Sequence, residues 1–309
     1  MKILITGGAG FIGSHVADAY IKEGHDVVII DNFSTGRKEN CNKNAKLIEC
    51  DITNKSQIEE IFECEKPDVV NHHAAQMNVR KSIEDPKYDA EINILGLVNI
   101  LHISSRTKVK RFIFSSSGGA IYGPAEIPTE EKLIPCPVSP YGLSKLVGER
   151  YIQLYNELYG MQYVLLRYAN VYGPRQNPHG EAGVIAIFID QMQRNEQPTI
   201  FGDGQQTRDY VYVKDVVKAN ILALTKGDNQ IINIGTGKET TVNHIFSELK
   251  KQMRFQKSAR HGEEIRGEVR RGALKIDKAN TILSWKPTVV LEQGLLYTET
   301  EEGTKDVKL

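Results

Sequence analysis

The chain has 309 residues, 40% of them hydrophobic and 25% charged, which suits one large or two modest globular domains. Its 39 Lys+Arg balance 39 Asp+Glu, and no apolar run reaches membrane length, so neither a nucleic-acid nor a membrane partner is expected and no signal peptide is read. Cys41, Cys50, Cys64 and Cys136 are scattered without a Cys-x-x-Cys pair, the usage expected of reduced, buried thiols in a cytoplasmic protein without a metal site.

Taken in order, Ile3-Leu4-Ile5 is an unbroken apolar run, the pattern of a strand buried on both faces. Gly7, Gly10 and Gly13 follow at three-residue spacing and enclose Phe11 and Ile12. Val16, Ala19 and Tyr20 then recur at helical spacing until Gly24. Val27–Ile30 is a second buried strand, closed by Asp31. Glycines let such a turn bend tightly and let backbone amides approach a pyrophosphate at the helix N-terminus. A carboxylate after the second strand accepts hydrogen bonds from an adenosine ribose and repels a 2′-phosphate, so the expected cofactor is NAD rather than NADP.

The alternation continues. Asn32, Ser34, Thr35 and Gly36 form a loop on the adenosine side. Lys46–Cys50 reads as a third strand ending in Asp51 and Ile52, and Ser56–Phe62 as a short helix. Pro67–His73 reads as a fourth strand, entering the small-residue turn Ala74-Ala75, where a ligand can lie against backbone. A long helix is expected over about Tyr88 to Ser105, then a fifth strand over Arg111–Phe114 ending in Ser115, Ser116, Ser117 and two glycines. Prolines 128, 135, 137 and 140 interrupt the next stretch. Ser139-Pro140-Tyr141 opens a helix running to about Tyr159, and Tyr163–Tyr168 is a sixth strand. Strands each paired with a helix imply an α/β fold, a Rossmann-like doubly wound parallel sheet.

Beyond Asn170 the pattern loosens: a long turn to Gly180, a helix over Gly183–Arg194, a short strand at Thr199–Phe201, a helix over Val213–Thr225 and a buried strand at Gln230–Ile234. The expected division is a cofactor domain over 1–170, rejoined by about 211–239. About 171–210 and 240–309 then form a smaller C-terminal substrate-binding lobe over the C-terminal ends of the strands.

Two Tyr-x-x-x-Lys pairs occur, Tyr141 with Lys145 and Tyr210 with Lys214. On a helix, residues four apart are neighbours, so Lys145 can hold an ammonium near the Tyr141 phenol. Tyr210–Val213 reads as a strand, where four residues span about 13 Å and the two groups cannot cooperate. A phenol of pKa near 10 is a poor base at neutral pH; an adjacent ammonium favours the phenolate.

Gly7–Gly13, the serine turn, Tyr141–Lys145 and Arg167-Tyr-Ala-Asn170 together resemble the extended short-chain dehydrogenase/reductase family, most closely its UDP-glucose (UDP-galactose) 4-epimerases. The resemblance extends through Trp285-Lys286-Pro287 and Leu291–Leu295. It implies NAD-dependent 4-epimerisation of a UDP-hexose through a transient 4-keto sugar, in a homodimer whose helices around Tyr88–Ser105 and Tyr141–Tyr159 pack together. By the same resemblance Tyr141 is the base, Lys145 its partner and a ribose ligand, and Asn93 a supporting residue. Ser117 orients the substrate, with Ser116 as the alternative. Asp51, Ile52, His73, Ser115 and Tyr168 fall at cofactor positions. Asn170, Gly183, Val184, Phe201, Arg208 and Tyr210 fall at UDP-sugar positions. Arg266 with Glu268 is the C-terminal pair that fits best, Arg260 with Glu263 the second. Gly272 aligns with a gate beside the sugar C2, where a bulky aromatic excludes N-acetyl groups. Related 4,6-dehydratases and decarboxylases place an acid in the run that here reads Gly118–Gly123, which holds none. UDP-N-acetylglucosamine or UDP-glucuronate epimerisation, or a non-catalytic NAD-binding protein of the same fold, stay open alternatives.

Overall fold

The computed structural model describes residues 1–178, 183–264 and 269–300. The first half alternates strand and helix: β1 (Lys2–Thr6), α1 (Phe11–Lys22), β2 (Asp26–Asp31), β3 (Lys46–Glu49), α2 (Lys55–Glu65) and β4 (Val69–His72). Then come α3 (Val79–Glu84), α4 (Pro86–Ala90), a π-helical turn at Glu91–Gly96, α5 (Leu97–Arg106), β5 (Arg111–Ser117), α6 (Gly118–Ile121), α7 (Pro140–Tyr159) and β6 (Gln162–Tyr168). The second half holds β7 (Asn170–Tyr172), α8 (Val184–Gln193), β8 (Thr199–Phe201), β9 (Thr207–Arg208), β10 (Tyr210–Tyr212) and α9 (Val213–Ala223). It ends with β11 (Gln230–Ile234), β12 (Thr240–Thr241), α10 (Val242–Gln252), β13 (Arg260–Gly262) and α11 (Leu291–Glu299).

Seven strands form one parallel sheet in the order β11-β6-β5-β4-β1-β2-β3, so the late strand β11 rejoins it beside β6. Alternate side chains of the buried strands serve two cores. Ile3 and Ile5 pack with Val16 and Tyr20 of α1 and Val216 and Ala219 of α9. Leu4 and Phe112 pack with Phe62 of α2, Ile100 of α5 and Ile152 of α7. Strand order reverses between β1 and β4, which opens the crevice where such sheets bind ligands. A third core gathers Phe188, Ile200, Tyr212, Ile245 and Leu295 into the C-terminal lobe. Small pairings organise it: β7 with β10, β9 with β12 and β8 with β13.

Several expectations need correction. The helix expected over about Tyr88–Ser105 starts at Pro86, with Asp85 capping Tyr88 N, and contains the π-turn. The Gly118-Gly119 turn is the start of α6, and α3 was not anticipated because Val79–Glu84 is too short for a clear period. The cysteines are free, but only Cys50 is buried; Cys64 and Cys136 are exposed, since helix and loop geometry turns them outward. Among the described residues no helix is long and apolar enough to cross a membrane.

Candidate active site

The cofactor side is built on the turn after β1. Gly7 has a φ of +68°, and a Cβ there would lie 2.6 Å from Ala74 N. The two strand-end turns at the crevice are therefore pressed together in a way only glycine allows. A Cβ on Gly13 would sit 2.3 Å from Gly7 O, so the helix start is equally close to the turn. Gly10 caps α1 without a side-chain bond, leaving the amides of Phe11 and Ile12 in the uncapped first turn. Asp31 lies at the mouth: Oδ2 accepts from Ala9 N at 3.0 Å and Oδ1 from Phe33 N at 2.8 Å, while burial raises its pKa. Each oxygen keeps a further lone pair for a ligand hydroxyl. Gly36 borders this carboxylate, with Ser34 and Thr35 in the intervening loop. Asp51 accepts from Asn32 Nδ2 at 2.6 Å; despite desolvation, that bond and those from Thr53 hold its pKa down. Ile52 is buried against Gly96. His73, Ala74 and Ala75 follow β4, and the His73 ring stacks on Tyr168 at 6.4 Å. Glycine cradle, open helix start and acidic mouth fit a dinucleotide.

The catalytic side is built on α7. Ser139 caps it by accepting from Gly142 N at 3.1 Å, Pro140 occupies the first turn and Gly160 ends it at φ +72°. Tyr141 is half-buried at that N-terminus, its backbone N–H donating to Ser82 Oγ of α3 at 3.2 Å. One turn on, buried Lys145 donates from Nζ to Ser115 O at 2.8 Å; the same atom lies 5.9 Å from the Tyr141 ring centre. Burial pulls its pKa down to about 8, against the opposing pull of Asp89 and Glu149. Asn93, in the π-turn, is tied by Nδ2 to Asp89 Oδ1 at 2.9 Å and by Oδ1 to Gln76 N at 2.9 Å. Asp89 also accepts from Ser144 Oγ at 2.6 Å, which fastens the π-turn to α7.

The serine run divides by pleat. Ser116 has the parity of Phe112 and Phe114, which face α7, and its hydroxyl donates to Glu149 Oε1 at 2.6 Å. Ser117 emerges at the strand end: a Cβ on Gly119 would lie 4.0 Å from Ser117 Oγ and 3.6 Å from Asn170 Oδ1. Ser117 and Asn170 thus border one open spot, while Ser116 is committed elsewhere. Glu149 is held by Arg167 at 2.6 Å, with side chains 1% and 2% exposed. Arg167 in turn donates to the Tyr122 hydroxyl at 2.8 Å. The sequence reading missed Glu149, Asp89 and Gln76, although Glu149 continues the four-residue spacing of Tyr141 and Lys145.

The lobe supplies the other wall. Arg208 ends β9, exposed Asn170 starts β7, and Tyr210 starts β10 paired with Asn170. Gly183 caps α8 at Val184. Phe201 is 44% exposed, with the Arg80 guanidinium of α3 6.0 Å from its ring centre. Thr207 N donates to Arg270 O at 3.0 Å and Thr129 N to Ala273 O at 2.8 Å, so Gly272 lies between two anchored points, with no atom of the described residues within 4 Å of a Cβ built on it. Leu274 packs on Gly118. Arg266 and Glu268 lie outside the described residues; Arg260 is on β13, bonded to Thr199 Oγ1 at 3.2 Å, and Glu263 is exposed. Tyr210 and Lys214 lie on two different elements, β10 and α9.

Residues 3–235 match the model of the NAD dependent epimerase/dehydratase family. The chain belongs to that family. A Methanocaldococcus jannaschii protein is 52% identical over 294 residues, 95% of either chain. The Thermotoga maritima UDP-glucose 4-epimerase, solved with UDP-glucose, superposes with a TM-score of 0.96 at 48% identity, covering 99% of this chain and 100% of that one. The Thermus thermophilus UDP-glucose 4-epimerase, solved with NAD, superposes with a TM-score of 0.94 at 37% identity, covering 99% and 100%. The fold is that of the extended short-chain epimerases, and the cofactor is NAD.

Proposed function

We propose that the chain interconverts UDP-glucose and UDP-galactose by NAD-dependent epimerisation at C4. The observation that carries this reading is that Lys145, with Nζ 5.9 Å from the Tyr141 ring centre, donates to Ser115 O near the end of β5, two residues before Ser117, in the same sheet whose β1 leads into the glycine turn. NAD, when held by the glycine turn and Asp31, would supply reversible hydride acceptance at C4. Tyr141 takes the C4 hydroxyl proton and gives it back after the 4-keto sugar has turned over. Lys145, held by Ser115 O, favours the phenolate with its ammonium and reaches the cofactor ribose. Ser117 holds the reacting oxygen, and Asn93 supports the helix junction behind it. Arg208 takes the diphosphate, which its fork of donors suits, while Phe201, Tyr210, Gly183 and Val184 hold the rest of the nucleotide. No acid stands in Gly118–Gly123 to expel a 6-hydroxyl, which argues against dehydration.

Purified protein carrying NAD should bring either UDP-hexose to the same equilibrium mixture. Protein that binds NAD yet turns over neither sugar would support the non-catalytic alternative. A second reading, activity on UDP-N-acetylglucosamine, is favoured by the open space at Gly272.

A homodimer is part of this reading. Leu143, Tyr151, Leu154 and Leu158 leave an exposed apolar stripe on α7, and Leu95 is exposed on the adjoining π-turn. Light scattering at micromolar concentration should give twice the monomer mass. Free thiols accord with a reducing, cytoplasmic setting.

A further inference from the structure

Asp209 stands between β9 and β10 with 2% exposure, and every bond to its carboxylate comes from a neutral donor. Oδ1 accepts from Thr236 N at 2.8 Å and Thr236 Oγ1 at 2.6 Å. Oδ2 accepts from Gly237 N at 3.0 Å and Leu274 N at 3.2 Å. Its backbone carbonyl accepts from Asn170 N at 2.9 Å. A Cβ on Gly235 would fall 2.5 Å from Oδ2, so the end of β11 leaves room for this oxygen alone. Burying a carboxylate without a cation is costly, and here it is offset by four donors drawn from two separate segments. One of those segments and the residues on either side of Asp209 hold candidates for the sugar site: Arg208 and Tyr210 beside it, Asn170 on its carbonyl, and the Gly272–Leu274 segment, whose Leu274 N–H bonds its carboxylate.

We propose that Asp209 is a positioning residue for nucleotide-sugar binding, fixing Arg208, Asn170 and the Gly272–Leu274 segment relative to one another. This inference rests on the UDP-hexose reading above. It assigns Asp209 to affinity rather than to chemistry, because its carboxylate is taken up by the four donors from Thr236, Gly237 and Leu274. Asparagine is nearly isosteric but must point an N–H at one pair of donors, which breaks the junction on that side.

The test compares Asp209→Asn, Thr236→Val and Thr236→Ser with the wild-type holoenzyme, reading bound NAD, UDP affinity by calorimetry, and kcat and KM for UDP-glucose. Asp209→Asn is expected to retain NAD, to weaken UDP binding and raise KM on the order of tenfold, and to leave kcat within about threefold. Thr236→Val, which removes the hydroxyl's bond to Oδ1 and the longer one it accepts from Lys238 N at 3.3 Å but keeps the Thr236 N–H bond, should shift UDP affinity in the same direction by less, and Thr236→Ser should restore it. Should Asp209→Asn not fold, the valine–serine pair carries the comparison, since both keep the carboxylate. Wild-type UDP affinity in Thr236→Val together with Asp209→Asn, or a fall in kcat with UDP affinity unchanged, overturns the assignment. Arg208→Ala is the separate control: if it binds UDP as the wild type does, the site reading itself fails, whatever Asp209 does.

Discussion

The Ser116 hydroxyl donates to Glu149 Oε1 at 2.6 Å inside a buried ion pair with Arg167, and this removes Ser116 from the set of groups that face the crevice. The neighbouring Ser115 carbonyl is thereby held where Lys145 reaches it, and Ser117 is left at the opening. Ser116→Ala should therefore cost about 1–3 kcal/mol of stability in urea denaturation while retaining most turnover. Ser117→Ala should show the reverse, near wild-type stability with kcat reduced by about tenfold or more. Equal loss of turnover in both variants would contradict this division.

Tyr141→Phe removes only the phenol oxygen. It should keep NAD and the fold but lose turnover by at least about a hundredfold. Lys145→Ala should impair both NAD retention and turnover. Tyr210→Phe should leave more activity than Tyr141→Phe, because Tyr210 on β10 and Lys214 on α9 stand on different elements and lack the one-turn spacing that pairs Tyr141 with Lys145. Steady-state assays with cofactor quantified by absorbance check all three.

Asp31, at the end of β2, accepts one backbone N–H on each carboxylate oxygen and keeps lone pairs on both. Asp31→Ser should weaken NAD binding and relax discrimination against NADP, measured by titration of protein stripped of cofactor. Tighter binding of NADP than NAD by the wild type would reverse the reading.

His15 bonds through Nε2 to Pro174 O at 2.9 Å, tying α1 to the turn after β7. Burial lowers its pKa to about 4, with Arg175 and Lys214 adding repulsion against the opposing Pro174 carbonyl and Asp18. The folded group stays neutral where the unfolded one, near 6.5, takes a proton. Its stabilising effect is full above pH 6.5 and is lost as pH falls toward 4, by about 3 kcal/mol in all. His15→Gln should flatten that part of the stability profile relative to wild type in denaturation series between those limits.

Gly272→Tyr should place an aromatic ring where no atom of the described residues lies within 4 Å of a built Cβ. The expected outcome is loss of UDP-N-acetylglucosamine turnover with UDP-glucose turnover largely kept, read by product chromatography. If the wild type ignores the acetylated sugar, or the substitution changes neither activity, the gate lies elsewhere.

The cofactor half was legible in the sequence because its signals are local. Gly7, Gly10, Gly13 and Asp31 lie within one strand–helix–strand unit, and the helix that joins Tyr141 to Lys145 carries its own caps in Ser139 and Gly160. Even the fate of Ser116 was latent there, since period-two alternation puts it on the face of Phe112 and Phe114. Its partner was not, because Glu149 and Arg167 meet only when α7 packs across β5 and β6 in the register Ser116↔Arg167. The substrate wall depended still more on tertiary structure. Arg208, Asn170 and Gly272 are far apart in sequence, the first two on strands two and three residues long and the third on an irregular segment, none of which carries a periodicity. What brings them together is Asp209, a carboxylate whose donors lie 27, 28 and 65 residues away and exist only in the folded chain.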